Sequence, residues 1–186
     1  MKTETTYISD LIVIYPDVFP DDRGFFFESF NEKKYKELGI EYDFVQDNIS
    51  KSVKGTIRGL HYQTGEFAQG KLCQVIVGKV LDVAVDIRFG STTFGKYFAV
   101  ELSDEAKNQL WIPPGFAHGF AVLSDEAIFS YKCTNFYNKN SERSIIYNDS
   151  SIGVQWGISN PVVSEKDLKG IELSKIEKDF IFNKSL

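Results

Sequence analysis

The stretch Leu81-Asp82-Val83-Ala84-Val85-Asp86-Ile87-Arg88 alternates strictly. Leu81, Val83, Val85 and Ile87 fall on one side of an extended chain, and Asp82, Ala84, Asp86 and Arg88 on the other. A period of two is that of a β-strand. Three charges on the second side mean that it faces either solvent or a polar cavity. Outward from this segment the chain reads mostly as further short strands: 25–30, 44–49, 56–63, 71–77, 97–102, 109–112, 116–123, 127–134 and 144–147. An earlier β segment covers 11–15. Many short strands punctuated by Gly, Pro, Asn and Asp predict an all-β sandwich or barrel. Helices are few. Residues 31–38 begin on an Asn N-cap with Glu32 in the first turn and stop at Gly39. Single turns are expected at 103–108 and 164–169. The tail has helical composition over 174–178, and Phe180, Ile181 and Phe182 need a surface to pack on.

With 186 residues, 42% hydrophobic and 25% charged, the chain suits one soluble domain over 1–186, with a tail from about 171 of open role. Basic and acidic residues number 21 and 26, so the net charge is 21 − 26 = −5. That balance argues against nucleic acid or an anionic membrane as partner, though local cations still suit a small anionic ligand. Cys73 and Cys133 form no CxxC and read as buried free thiols of a reducing compartment. Residues 1–10 lack an apolar signal segment, and the run 11–15 is too short to span a bilayer, so a cytoplasmic location is expected. Trp111 and Trp156 are assigned to core or interface.

Only two histidines are present, His61 and His118. Small barrels often hold a metal with an HxH pair, a nearby carboxylate and a distant His. Here the second position is Gln63, followed by Glu66, with His118 downstream. An amide oxygen is a weak ligand for zinc or iron, so no metal is expected. A neutral imidazole serves as a general base near neutral pH if a carboxylate orients it and a cation stabilises the oxyanion. Asp167, Asp82 and Asp86 are candidate orienters of His61, Tyr131 and Tyr137 candidate acids, and Lys71, Arg58 and Arg23 candidate cations. A hydrogen-bonded core or surface histidine is the alternative.

Seven ordered blocks carry a resemblance: DDRGFFFESF (21–30), QDNIS (46–50), KGTIRGLHYQ (54–63), QGKLCQVIVGKVLDVAVDIRFGSTTFGKY (69–97), QLWIPPGFAHGF (109–120), YKCTNFY (131–137) and SEKD (164–167). From about Leu11 to Gly170 the chain resembles the dTDP-4-dehydrorhamnose 3,5-epimerases, deoxysugar epimerases of dTDP-L-rhamnose biosynthesis. The resemblance implies a cupin-type double-stranded β-helix (a jelly-roll barrel), a homodimer, a dTDP-sugar substrate and no cofactor. It implies His61 as proton acceptor, Tyr131 as proton donor, Asp167 as the acid paired with His61, and Lys71 beside the sugar keto oxygen. Arg23, Glu28, Gln46, Asn48, Arg58, His118, Glu142 and Lys166 fall on nucleotide-sugar contact positions, and Tyr137 on a stacking position. Phe26, from the aromatic run 25–27, and Asp47, from the QDNIS block, join them as candidate substrate contacts.

Two readings compete with double epimerisation: a single-site epimerase acting at C3 or C5 alone, and a nucleotide-sugar-binding barrel without turnover. One feature needs backbone help. Arg58 and His61 are an odd number apart, so a regular strand would turn them to opposite faces. Both reach one pocket only if the backbone is irregular near Gly59, or if one works across a subunit boundary.

Overall fold

The computed structural model describes residues 1–182. The first sheet contains β1 (Lys2–Thr5), β2 (Ile12–Tyr15), β5 (Gln46–Val53), β7 (Lys71–Val77), β10 (Gln109–Ile112) and β12 (Glu126–Cys133), in the order β1-β2-β10-β7-β12-β5. The second contains β6 (Thr56–Gln63), β8 (Lys79–Asp86), β9 (Tyr97–Ser103), β11 (Phe116–Val122) and β13 (Glu142–Ser144), in the order β13-β6-β11-β8-β9. Its β6 also takes β14 (Val162–Val163) in parallel. A separate hairpin pairs β3 (Val18–Asp21) with β4 (Gly24–Phe27). Consecutive strands interleave between the two facing sheets, which is the jelly-roll barrel expected.

Leu11, Val13, Cys73, Val75, Val80, Ala84, Phe116, Phe120 and Phe129 fill the barrel between the sheets. A second layer, with Ile57, Leu60, Val83, Val85, Ile87, Trp156 and Leu173, lies against the back of the second sheet. The alternating segment 81–88 is therefore buried on both faces. Its apolar side meets the back layer, and its charged side looks into the barrel, the polar-cavity alternative. A third cluster, with Ile14, Tyr35, Leu72 and Trp111, seats α1 (Glu32–Lys36) on the first sheet. Both tryptophans are core.

Several local expectations change. Residues 103–108 form the end of β9 and a turn rather than a helical turn. The strand expected over 25–30 stops at Phe27, and that over 144–147 is shifted to Glu142–Ser144. The tail is not an α-helix: after a 3-10 turn at Leu173–Lys175 it runs extended. Phe180 meets Tyr62, and Phe89 exchanges backbone hydrogen bonds with Phe180 and Phe182. The docking surface is thus the back of the barrel; residues 183–186 lie outside the described residues.

Candidate active site

β6 is where the chain bends to make a site. Gly59 has φ +128°, and a Cβ there would stand 2.5 Å from the Gly119 Cα on β11. Only glycine fits such a conformation and so close an approach. The β6–β11 register slips between His118 and Phe120. The irregularity expected near Gly59 is present, and it turns Arg58 and His61 to one side while Ile57, Leu60 and Tyr62 stay in the back layer.

That side is a cavity of about 250 Å³ lined by Arg58, His61, Lys71, His118, Tyr131, Lys166 and Asp167, with Ser50 and Ser164. The second sheet supplies His61 and His118; the first supplies Lys71 and Tyr131 from β7 and β12. Asp167 comes from α2 (Glu165–Leu168), whose N-cap Ser164 accepts a hydrogen bond from the Asp167 amide at 3.1 Å. His61 Nε2 lies 2.6 Å from Asp167 Oδ1, with Asp167 almost fully buried. Burial works to raise the Asp167 pKa, but its hydrogen bond and charge interaction with His61 and its bond with Ser164 outweigh this and leave it below the ordinary value.

A second pair lies deeper: His118 Nε2 and Asp82 Oδ1 are 2.7 Å apart. Burial dominates His118 and holds its pKa below 6.5, against the pull of Asp82, so the imidazole is neutral at pH 7. Burial also pushes the Tyr131 hydroxyl up to about 12. The Lys71 ammonium stands 5.8 Å from the Tyr131 ring centroid. An imidazole held by a carboxylate, a protonated phenol and a cation thus share one cavity. That set suits abstraction and return of a proton beside a carbonyl.

An adjoining cleft of about 130 Å³ shares His61, Lys71 and Tyr131 and adds Gln46, Asn48, Tyr137 and Glu142. Glu142 accepts hydrogen bonds from the Tyr137 hydroxyl at 2.9 Å and Lys166 Nζ at 2.6 Å. Arg58 Nε donates to Ser52 Oγ at 2.9 Å.

Four candidates lie elsewhere in the chain. Arg23, 90% exposed in its side chain, pairs with Asp21 on the β3–β4 hairpin. Phe26 and Glu28 line a separate hollow with Tyr35, where Glu28 pairs with Lys34. Asp47 points away from Gln46 and Asn48 along β5 and pairs with Lys132 at 2.9 Å. Two of the three candidate orienters are reassigned: Asp82 serves His118 rather than His61, and Asp86 is spent on Arg88, Ser91 and Thr93. The HxH-type metal set is not assembled, because the Gln63 amide is used on Phe67, Phe136 and Asn138. Ser50 and Ser164 were not singled out by sequence reasoning. The SEKD block carried the cap signal for Ser164, and alternation from Gln46 and Asn48 would have found Ser50.

The sequence profile of the dTDP-4-dehydrorhamnose 3,5-epimerase family matches residues 5–175. A relative of that description from Shigella flexneri is 57% identical over 171 residues, covering 91% of this chain and 94% of its own. The crystal structure of dTDP-6-deoxy-D-glucose-3,5-epimerase from Legionella pneumophila, in complex with dTDP-4-keto-L-rhamnose, superposes with a TM-score of 0.95 at 48% identity, covering 98% of each chain. A 3'-monoepimerase from Streptomyces bikiniensis, in complex with dTDP-quinovose, superposes at 0.86 with 28% identity, covering 91% of this chain and 87% of its own.

Proposed function

The chain belongs to the dTDP-4-dehydrorhamnose 3,5-epimerase family, and from that premise we propose that it converts dTDP-4-dehydro-6-deoxy-D-glucose to dTDP-4-dehydro-L-rhamnose by inverting C3 and C5. The observation that carries the reading is the His61–Asp167 pair facing Tyr131 across a cavity that also holds Lys71. Asp167 accepts the Nε2 proton of His61 and fixes the tautomer, leaving Nδ1 to take the proton alpha to the C4 carbonyl. Lys71 places positive charge near the oxygen that becomes the enolate, and His118, whose Nε2–H is given to Asp82, forms part of the wall there. His61 and Tyr131 belong to opposite sheets, so Tyr131 returns a proton to the face opposite the one that lost it. Repeating this at C3 and C5 inverts both centres with no change of oxidation state. Arg58, steadied by Ser52, suits the pyrophosphate. The adjoining cleft of Gln46, Asn48, Tyr137 and Glu142, with Lys166 at its edge, suits the nucleoside and sugar.

Arg23, Phe26 and Glu28 fit the same reading if the protein is a homodimer whose β3–β4 hairpin reaches the partner's pocket. The support is physical: a two-stranded hairpin is marginal alone, and this one exposes Phe19, Phe25 and Phe26. A cytoplasmic location completes the reading; no helix among the described residues is long and apolar enough to cross a membrane.

The test is incubation with dTDP-4-dehydro-6-deoxy-D-glucose in deuterated water. Deuterium is expected at both C3 and C5. Label at one carbon alone supports the single-site reading, and no label in protein that still binds the nucleotide sugar supports a binding barrel.

A further inference from the structure

Beneath the pocket lies a thiol that the reaction does not use. Cys73, on β7, is fully buried, and its Sγ stands 3.7 Å from His118 Nε2. His118 Nε2 is in turn 2.7 Å from Asp82 Oδ1. One donor atom from each of Cys73, Asp82 and His118 falls within 4.8 Å of the other two. Asp82 is itself 0% exposed, and its second oxygen, Oδ2, has no hydrogen-bond partner among the described residues. A carboxylate oxygen at that depth without a donor is costly unless a cation meets it.

We propose that Cys73, His118 and Asp82 form a binding site for one thiophilic divalent cation of the Zn²⁺ class, and that filling it shuts down turnover. Thiolate, imidazole and carboxylate form a donor set suited to zinc, and three protein ligands leave a fourth position for water or a substrate oxygen. The charges close. The cation replaces the Cys73 thiol proton, which leaves to solvent, and the two charges of thiolate and Asp82 carboxylate cancel those of the ion. His118 gives its Nε2 lone pair to the ion when the ring proton held towards Asp82 moves to Nδ1, which leaves the ring neutral. Because the thiol proton must leave, affinity rises with pH. Lys71, close enough to act on both Cys73 and His118, opposes any ion held by charge alone. That disfavours Mg²⁺ and Ca²⁺, which want several oxygens and gain little from sulfur. Entry is through the pocket, where His118 forms part of the wall. Coordination takes Nε2 of His118 away from Asp82 and fixes a cation under the reacting sugar. The inhibition rests on the proposed function of the pocket; the binding does not.

The experiment is equilibrium dialysis of the full chain against Zn²⁺ alone, repeated with Cys73→Val and Cys73→Ala, and a Co²⁺ titration of the wild type. One equivalent per chain is expected. A thiolate-to-cobalt charge-transfer band and proton release should accompany binding, and the Cys73 variants should lose about 100-fold or more in affinity. Both variants should keep basal epimerisation and lose its sensitivity to Zn²⁺. Equal Zn²⁺ affinity in wild type and variants, or a cobalt spectrum without the sulfur band, overturns the site, and that wild-type result stands even if a variant fails to fold. Zn²⁺ binding through Cys73 in a protein that shows no epimerisation leaves the site intact and sinks the proposed function instead. Inhibition that persists in Cys73→Ala overturns the inhibitory role.

Discussion

At the scale of single residues the site is two histidines in two settings. His61 is partly open and held by Asp167; His118 is buried and held by Asp82. His61→Asn should lower solvent exchange at both carbons by about 10²- to 10⁴-fold, the usual worth of a positioned base. Tyr131→Phe should cut net epimerisation more than deuterium wash-in, since abstraction does not need the phenol; wash-in that falls in step with turnover would reject its role as donor. The pairs also set a pH response. His118 has a folded pKa below its unfolded 6.5, so unfolding takes up a proton as pH falls through that region. Asp167, likewise depressed from 3.8, contributes stability that is full above 3.8 and lost as pH drops through its folded value. Urea midpoints should therefore fall first below about pH 6.5 and again below about pH 4. His118→Gln should flatten the first limb.

At the scale of elements, one short helix and one distorted strand do most of the placing. Ser164→Ala removes the cap of α2. It should cost about 1 kcal/mol in stability, yet lower kcat more than that loss suggests, because Asp167 rides on the capped turn. An unchanged kcat would mean that the His61 contact alone positions the carboxylate. Gly59→Ala should destabilise the fold by about 2 kcal/mol or more in denaturant titration, since its Cβ would meet the Gly119 backbone. The need for a bend at Gly59 was legible from the odd spacing of Arg58 and His61. The strands were legible where alternation is clean, as over 81–88, though their double burial was not. A period of two says which side chains share a face, and only the back layer decides that both faces are covered. The pairing of His118 with Asp82 was not legible, because it depends on the β8–β11 register, which sets Phe120 opposite Asp82 and His118 opposite Ala84.

At the scale of the whole molecule, the exposed β3–β4 hairpin predicts assembly. Sedimentation should give a dimer. Mixing Arg23→Ala chains with His61→Asn chains should restore part of the activity that neither homodimer shows, since one pocket of the mixed dimer is complete; no recovery in verified mixed dimers would place Arg23 outside the partner's site. The surroundings of Arg23, Phe26 and Glu28 could not be read from sequence, for a hairpin's residues carry no mark of which subunit they serve. The tail was half legible: its aromatics announced a need for a surface, but only the folded barrel shows which one.

The part of the back layer that covers the second sheet, with Ile145, Ile152, Trp156, Leu173 and Ile176, follows the barrel strands in the chain, and Asp167 arrives with it. During synthesis the strands that carry His61, Lys71, His118 and Tyr131 leave the ribosome before the residues that cover the second sheet. A nascent barrel thus has the proposed base and acid but neither the carboxylate that holds His61 nor the cover that keeps the sheet dry. Competence on this reading comes only once residue 167 has been made, and a message cut short before that codon would yield a chain without Asp167 and without the proposed proton relay.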